Sequence, residues 1–168
     1  TLTKAWDITA DFDATDWSIG AIVGPSGSGK STMAKKMFGD VWSGHTFPES
    51  ESVLDGFPAD MEVNDICRLL TAVGFSSPPS WLLPYRLLSN GQQFRAQLAV
   101  AMATSQMLVF DEFTSVVDRT VAKACAACVA KQTRKDRRRF VAVTCHYDVL
   151  EWLEPDWVVD MADGSFTR

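Results

Sequence analysis

Eight consecutive residues near the start of the chain have the types and spacing of a phosphate-binding loop. The segment Gly24-Pro25-Ser26-Gly27-Ser28-Gly29-Lys30-Ser31 fits the pattern G-x-x-x-x-G-K-[ST]. In that pattern the glycines let backbone N–H groups wrap a phosphate, the lysine reaches the β- and γ-phosphates, and the serine hydroxyl ligates Mg²⁺. A flexible Gly/Ser turn is the alternative, but a strand-like run precedes the loop and a helical run follows it. The predicted ligand is a nucleoside triphosphate with Mg²⁺, held by residues 24–32 and so including Thr32.

Two adjacent carboxylates, Asp111 and Glu112, follow the apolar run Met107–Phe110. In phosphate-loop ATPases an aspartate at the end of such a strand holds Mg²⁺, and the next carboxylate can polarise the attacking water. A solvated turn is the alternative, which the phosphate loop in the same chain makes the weaker one. We therefore predict Ser31 and Asp111 as metal ligands, and Glu112 and Lys30 as catalytic residues.

A third segment, "LSNGQQ" (residues 88–93), stands at the start of the helical run "FRAQLAVAMA". A helix start offers free backbone N–H groups and the positive end of the helix dipole. The hydroxyl of Ser89 and the absent side chain of Gly91 would let an anion come close. The alternative is an N-cap serine followed by a turn. These residues alone leave both interpretations open.

The elements that must position these residues alternate along the chain. Apolar runs predict buried strands at Ser18–Gly24, at "MLVFDEF" and at "FVAVTCH", with a further strand at Ser52–Phe57. Helical spacing follows the phosphate loop and recurs at residues 63–75, at 92–104 and in "VAKACAACVAKQT". "DWVVDMADGSFTR" predicts a closing hairpin, because Asp163-Gly164 is a strong turn signal. The pattern indicates an α/β fold with a mainly parallel sheet flanked by helices.

Composition limits the class of protein. The 168 residues are 46% hydrophobic and 22% charged, which suits one domain over residues 1–168. No apolar run approaches the roughly 20 residues that a membrane span needs, so no membrane insertion is predicted. A first residue other than methionine, Thr1, leads us to expect a trimmed or excised chain.

Charge and cysteine usage give two further expectations. The net charge of −5 provides no global field that would favour nucleic acid. The basic run Lys131–Arg139 is predicted to be a solvated helix end, with a polyanion site as the alternative. Four cysteines without ligand-spaced histidines are expected to be small buried thiols in a reducing, cytoplasmic compartment.

The order of these motifs resembles that of the ABC-type ATPases. The family signature is usually LSGGQ, from which this chain differs only by Asn90. "SVVD" (Ser115–Asp118) resembles the loop after the catalytic glutamate, and His146 resembles the switch histidine that contacts the γ-phosphate. The closing hairpin also resembles the family's, so the resemblance covers nearly the whole chain.

The resemblance implies a site that two domains share. In the family, two nucleotide-binding domains pack head to tail in the presence of ATP. Ser89 and Gly91 would then serve the γ-phosphate bound to the partner's phosphate loop, and Asp118 would belong to the same nucleotide site. It implies ATP and Mg²⁺ as ligands, an ATP-dependent homodimer as the assembly, and a role for His146 in turnover.

The chain departs from the family at three places. No glutamine lies between Ser31 and Asn90, so the usual glutamine contact is absent or borne by another residue, with Asp55 and Asp60 as candidates. Phe113 stands where proline is usual. The helical subdomain is reduced to about residues 59–88, and three prolines interrupt residues 76–84.

The family also implies an aromatic residue on the adenine. Trp6 is the better-spaced candidate for that role and Trp17 is the alternative, although a tryptophan in such a strand is more often part of the core.

Three functions follow from the resemblance. The first is an ATPase whose dimerisation drives a task other than transport, because the short arm resembles stand-alone ABC ATPases, some of them fused to an acetyltransferase. Such a protein would have a fused or separate effector domain. The second is the motor subunit of a membrane transporter. The third is a nucleotide-gated clamp on nucleic acid or protein.

Overall fold

Five strands form one sheet in the computed structural model, which describes residues 16–168. The strands are β1 (Ile19–Val23), β2 (Met107–Phe110), β3 (Arg139–Thr144), β4 (Trp157–Asp160) and β5 (Ser165–Thr167). Their spatial order is β2-β3-β1-β4-β5, with the first four parallel and β5 antiparallel to β4. The predicted α/β fold with a mainly parallel sheet and a closing hairpin is confirmed.

Six α-helices and two short 3₁₀ turns connect these strands within the described residues. The helices are α1 (Lys30–Phe38), α2 (Val63–Ala72), α3 (Pro78–Trp81), α4 (Asn90–Thr104), α5 (Arg119–Lys135) and α6 (Val149–Leu153). The 3₁₀ turns are Val53–Gly56 and Tyr85–Leu87. We call residues 53–87, which lie between α1 and α4, the arm; the sequence predicts its bounds at about residues 59–88.

Apolar side chains on both faces of the sheet explain why its strands are continuous hydrophobic runs. All five residues of β1 are buried, as expected for a central parallel strand. One face packs with Ile22 and Val143 against α1, and the other packs with Ile19 and Phe140 against the layer that contains α4 and α5. The sheet is therefore the middle layer of three.

The strand predicted at Ser52–Phe57 is wrong. Residues Val53–Gly56 form a 3₁₀ turn, because Ser52 and Asp55 make a reciprocal capping box. The Asp55 carboxylate accepts hydrogen bonds from the backbone N–H and the hydroxyl of Ser52, at 3.0 and 2.6 Å. This local pairing satisfies the backbone in a turn and competes successfully with the apolar β pattern.

Arginines of the basic run Lys131–Arg139 contact the protein itself. Arg134 donates to the carbonyl of Leu153, and Arg138 donates to the carbonyls of Met102 and Ser105. The guanidinium of Arg139 lies 4.6 Å from the ring centroid of Trp17. Much of the charge in this run therefore holds the end of α5 and the start of β3 against neighbouring elements, which favours the structural interpretation over a polyanion site.

The four cysteines are free thiols, as predicted, but only one is fully buried. Burial among apolar atoms raises the pKa of Cys125 to about 11. Cys67, Cys128 and Cys145 are half-buried. The expectation of buried thiols therefore holds only for Cys125.

Candidate functional site

The predicted site residues meet at one edge of the sheet. The register pairs Val23 of β1 with Thr144 of β3, and Phe110 of β2 with Ala142 of β3. The segments that follow these three parallel strands contain the phosphate loop, His146 and the Asp111-Glu112 pair. Because parallel strands end at the same edge, β3 brings His146 between the loop and the two carboxylates.

The phosphate loop has backbone conformations that only glycine adopts without strain. Gly24 has a φ of +148°, and a Cβ there would lie 2.9 Å from both the Met161 Cβ and the Ser28 hydroxyl. Gly27 and Gly29 have φ values of +76° and +89°. The chain can therefore turn from β1 into α1 with its backbone open to a ligand.

Polar groups of this loop fit a bound phosphate. The Ser28 hydroxyl is buried and has no hydrogen-bond partner within the described part of the chain. Gly29 caps α1 without a side-chain hydrogen bond, which leaves the first helical N–H groups of α1 available to an anion. Lys30, only 7% exposed, crosses the loop and donates from Nζ to the carbonyl of Pro25 at 2.8 Å.

The carboxylate loop rests on a buried aromatic cluster. Phe113 is fully buried, and its ring centroid lies 5.9 Å from those of Phe94 and Phe110 and 5.2 Å from that of Phe140. The Phe113 N–H also donates to the carbonyl of Val143 at 3.0 Å. Phe113, which stands where the ABC-type ATPases usually have proline, therefore anchors the carboxylate loop in the core.

Backbone strain is concentrated beside the same carboxylates. Glu112 and Thr114 have positive φ angles of 54° and 66°, which are uncommon for residues other than glycine. The Asp111 carboxylate accepts from the Glu112 N–H at 2.9 Å. Asp111 is half-buried and Glu112 is exposed, so the second carboxylate is open to solvent and to a substrate.

His146 lies two residues beyond the end of β3 and is half-buried. The backbone N–H of His146 donates to the Thr144 hydroxyl at 3.1 Å, which fixes the backbone at the strand end. The next residue, Tyr147, donates its hydroxyl to Asp160 at 2.8 Å. Loss of hydration, followed by the Asp160 carboxylate, raises the pKa of Tyr147 to about 12, so this phenol stays neutral at physiological pH.

Ser89 is the N-cap of α4, so the capping interpretation is confirmed. Its hydroxyl accepts from the Gln92 N–H at 3.3 Å, while the Gln92 side chain accepts from the Ser89 N–H at 3.0 Å. Ser89 and Asn90 are exposed, and Gly91 is half-buried. The capped helix start still faces solvent, so capping and anion binding are compatible here.

Glutamines after the signature hold the short arm, a role that sequence reasoning missed. Gln92 donates to the Ser80 hydroxyl at 3.2 Å, and Gln93 donates to the carbonyl of Tyr85 at 3.1 Å. One turn further along α4, Gln97 pairs with both backbone groups of His45 at 2.7 and 2.8 Å.

Asp118 is the N-cap of α5. Its carboxylate accepts from the N–H groups of Thr120 and Val121, at 2.9 and 3.0 Å. Val121 lies against Gly91, where an added Cβ would come within 3.4 Å of its methyl groups. The predicted contact of Asp118 with nucleotide stays a prediction, and its structural role is to fix the start of α5 beside the signature.

A cavity of about 520 Å³ opens beside the carboxylates. Its lining includes Ser43 and Gly44, which follow a segment that runs parallel to β2: the Trp42 N–H donates to the carbonyl of Val109 at 2.7 Å. Neither Asp55 nor Asp60 lines this cavity. Residues 43 and 44 are therefore better placed than either aspartate to stand near Asp111 and Glu112.

Two tryptophans, Trp6 and Trp17, are the residues predicted to stack on the adenine. Trp6 lies outside the described residues. Trp17 is 4% exposed and packs edge to face on Trp157, with ring centroids 5.4 Å apart. Trp17 is therefore a core residue and cannot present its ring to a base.

Among residues 16–168, no group of three or more His, Cys, Asp or Glu side chains is placed to hold a metal ion. The predicted Mg²⁺ ligands, a serine hydroxyl and one aspartate, do not form such a group. Within the same range, no helix has the length and apolarity to cross a membrane.

Comparison with known sequences gives one kind of relative. No protein-family model matches the chain. The energy-coupling factor transporter ATP-binding protein EcfA1 of Staphylococcus aureus is 24% identical over an alignment 200 positions long, gaps included, which covers 95% of this chain and 72% of that protein. The same protein from other strains of that species matches equally well.

Comparison with solved structures gives the fold. The dimeric bacterial ABC transporter cassette MJ0796 superposes with a TM-score of 0.68 at 18% identity, covering 91% of this chain and 84% of the cassette. The post-hydrolysis state of the same cassette, bound to ADP and Pi, superposes with a TM-score of 0.69 at 18% identity, covering 90% of this chain and 84% of the cassette. A bacterial Atm1-family ABC exporter with ATP bound gives 0.67 at 17% identity, covering 90% of this chain and 33% of the exporter.

Sequence likeness and fold agree with the motif order. The predicted phosphate-loop fold is confirmed, and the chain is similar in sequence to an ABC transporter ATP-binding protein and in fold to ABC cassettes, as the motif order predicted. The ATPase class is supported by the same relatives.

Proposed function

We propose that this ABC-type nucleotide-binding domain hydrolyses ATP at a site completed by a second copy of the chain. The observation that carries the proposal is the alignment of the phosphate loop, His146 and the Asp111-Glu112 pair along one sheet edge. The exposed start of α4 supports it, because Ser89 and Asn90 are open to solvent in a single chain.

Each residue has a role that follows from its chemistry. Lys30 and the N–H groups at the start of α1 would bind the triphosphate through charge and hydrogen bonds. Glu112 would accept the proton of the attacking water, since its carboxylate is exposed and its backbone is held by the buried Phe113. His146, which follows the strand β3 between β1 and β2, would contact the terminal phosphate. Mg²⁺, when bound through Ser31 and Asp111, would neutralise phosphate charge.

A second copy would supply Ser89 and Gly91 to the same phosphate. A helix start carries partial positive charge, and α4 has no acidic residue in its first turn to neutralise that charge. The proposed dimer would therefore bring the start of α4 from one copy to the ATP held by the other.

We expect Gly91→Asp to abolish ATP-driven dimerisation while ATP affinity of the monomer stays within twofold. The new carboxylate would add a negative charge to the helix start that the incoming γ-phosphate must approach, and like charges about 4 Å apart cost on the order of 4 kcal/mol at an effective dielectric of 20. Light scattering with and without ATP measures the assembly, and titration calorimetry measures the affinity.

Gly91→Ala is the matched control. Its Cβ would lie 3.4 Å from the Val121 methyl groups, an ordinary van der Waals distance, and it adds no charge. We expect this variant to dimerise as the wild type does. If Gly91→Asp dimerises normally, or if Gly91→Ala fails equally, charge at the helix start does not govern assembly.

The task that we propose for the ATPase is to drive a membrane transporter. The named relatives are transporter ATP-binding proteins or cassettes. They give no support to the non-transport task that the short arm predicted, and we adopt the alternative. The predicted cytoplasmic location is part of this proposal. No contact of the described residues favours a clamp on nucleic acid, since arginines of the basic run contact the protein itself.

An apolar surface on the arm supports a protein partner. Leu82, Leu83 and Leu87 are 68%, 41% and 55% exposed, and Tyr85 between them lines the cavity beside the carboxylates. Several exposed leucines within six residues of sequence are suited to a protein interface. We assign this leucine surface to the membrane subunit of the transporter.

The test is co-purification from detergent-solubilised membranes of cells that contain the whole transporter. Leu82→Asp and Leu87→Asp should each lose the membrane subunit and keep the ATP affinity of the wild type. Val63→Asp is the control, because Val63 is 59% exposed at the start of α2, apart from the leucine surface in sequence. Retention of the subunit by both leucine variants would contradict the assignment of the leucine surface. A wild-type chain that captures no membrane subunit would contradict the transport role and leave the ATPase assignment standing.

A further inference from the structure

Arg119, the first residue of α5, contacts two loops of the candidate site. Its Nε donates to Asp148 Oδ2 at 2.7 Å, and Nη2 donates to the other oxygen of the same carboxylate. Its Nη1 lies 3.3 and 3.4 Å from the carbonyl and hydroxyl oxygens of Thr114. The guanidinium also lies 5.4 Å from the ring centroid of Trp152. One side chain therefore uses all three of its nitrogens on two different loops.

Arg119 and each of its hydrogen-bond partners lie within two residues of a predicted site residue. Asp148 follows His146 by two positions, Thr114 follows Glu112 by two, and Arg119 itself follows Asp118. The histidine and the glutamate serve the nucleotide of their own chain. The Asp118 cap adjoins the signature, since Val121 lies against Gly91. Arg119 therefore connects elements that serve the chain's own nucleotide with elements that lie beside the predicted dimer face.

Thr114 explains why the backbone needs such a contact. It is fully buried with a φ of +66°, and such conformations persist only where the surroundings hold them. Arg119 supplies a hydrogen bond to its carbonyl from one side, while the buried Phe113 holds the loop from the other.

We propose that Arg119 is a positioning residue that fixes Glu112 and His146 relative to the Asp118 cap, so that arrival of the partner sets both groups for hydrolysis. This inference rests on the proposed composite site. A planar guanidinium fork is suited to the role, because it binds the two carboxylate oxygens of Asp148 and reaches Thr114 in one fixed geometry. Its contact also lowers the pKa of Asp148, which keeps that partner ionised.

An ordinary surface ion pair is the competing explanation. The side chains of Arg119 and Asp148 are 37% and 40% exposed, and pairs of that kind contribute little to folding stability. On that explanation, removing the pair would change neither stability nor turnover by much. On ours, turnover falls while stability and ATP binding stay the same.

The experiment compares Arg119→Lys, Asp148→Asn and the double variant. Lysine keeps the charge but cannot make the fork, and asparagine keeps the shape but not the charge. We expect each single variant to lower kcat by about ten- to a hundredfold, the range that a small misplacement of reacting groups produces. ATP affinity should stay within twofold and the thermal midpoint should stay near that of the wild type. The double variant should be no slower than the slower single one, because both changes break one contact.

The matched control is the exposed pair Arg68–Asp65 on α2, whose Nη1–Oδ1 distance is 3.0 Å. Arg68→Lys and Asp65→Asn should leave kcat unchanged. If both Arg119→Lys and Asp148→Asn have the wild-type kcat, the positioning role of Arg119 is overturned and the proposed function is unaffected. The same conclusion would follow if the losses of kcat in the two single variants added fully in the double variant. It would also follow if kcat fell only in proportion to a fall in the thermal midpoint. A wild-type chain without ATPase activity would overturn the proposed function and this inference with it.

Discussion

Lys30→Ala is expected to lower ATP affinity by about a thousandfold. Removing one positive charge beside the phosphates forfeits on the order of 4 kcal/mol at about 4 Å and an effective dielectric of 20. Since 1.4 kcal/mol corresponds to a factor of ten, this loss corresponds to about three factors of ten in affinity. Lys30 is only 7% exposed and spans its own loop, so no neighbouring lysine can take its place. Titration calorimetry with Mg²⁺–ATP measures the loss.

The control for that loss is Lys36→Ala. Lys36 is an exposed residue in the last turn of α1, so the substitution makes the same change of net charge on the same helix. Its ATP affinity should equal that of the wild type. Equal affinity in Lys30→Ala and wild type would falsify the assignment of the phosphate loop.

Glu112→Gln is expected to lower hydrolysis by about 10²- to 10⁴-fold, the contribution usual for a general base. Glutamine keeps the size of the side chain and the positive φ of the position but cannot accept the proton of water. ATP binding should persist, so the variant should accumulate as an ATP-bound dimer. Single-turnover hydrolysis measures the rate, and light scattering measures the mass.

Glu51→Gln is the control, because Glu51 is an exposed carboxylate that precedes the arm and lies far in sequence from the Asp111-Glu112 pair. It should hydrolyse ATP at the wild-type rate and form no stable dimer. If Glu112→Gln turns over ATP as fast as Glu51→Gln, another group activates the water, and the role of the strained carboxylate loop must be assigned differently.

Much of the site could be predicted from sequence because its chemistry is local. The phosphate loop and the carboxylate pair depend on a few adjacent residues at the end of an apolar strand. The parallel sheet follows from the alternating α/β pattern, whereas the strand order β2-β3-β1-β4-β5 is known only from the structure. The strand predicted at Ser52–Phe57 failed for a local reason too, because the Ser52–Asp55 capping box outweighed an apolar pattern only a few residues long.

Contacts between distant segments could not be predicted. Nothing in the spacing of Arg119 and Asp148 indicates that they meet, since 29 positions separate them. The arrangement of Trp42 beside β2, which brings Ser43 rather than Asp55 to the cavity, depends on a single isolated bridge. The glutamines of "LSNGQQ" likewise gain their role only when the arm folds back onto α4.

The measurement that tests the composite site most directly is complementation between Lys30→Ala and Gly91→Asp. Each variant alone should be inactive, since one lacks the phosphate-loop charge and the other blocks the helix start. A mixed dimer would contain one intact site, formed by the phosphate loop of the Gly91→Asp chain and the signature of the Lys30→Ala chain. Equal amounts should therefore regain up to about a quarter of the wild-type rate if pairing is random. The shared site would be contradicted by two results together. The mixture of variants would be as inactive as its components, and the rate per molecule of the wild-type protein would not change with concentration.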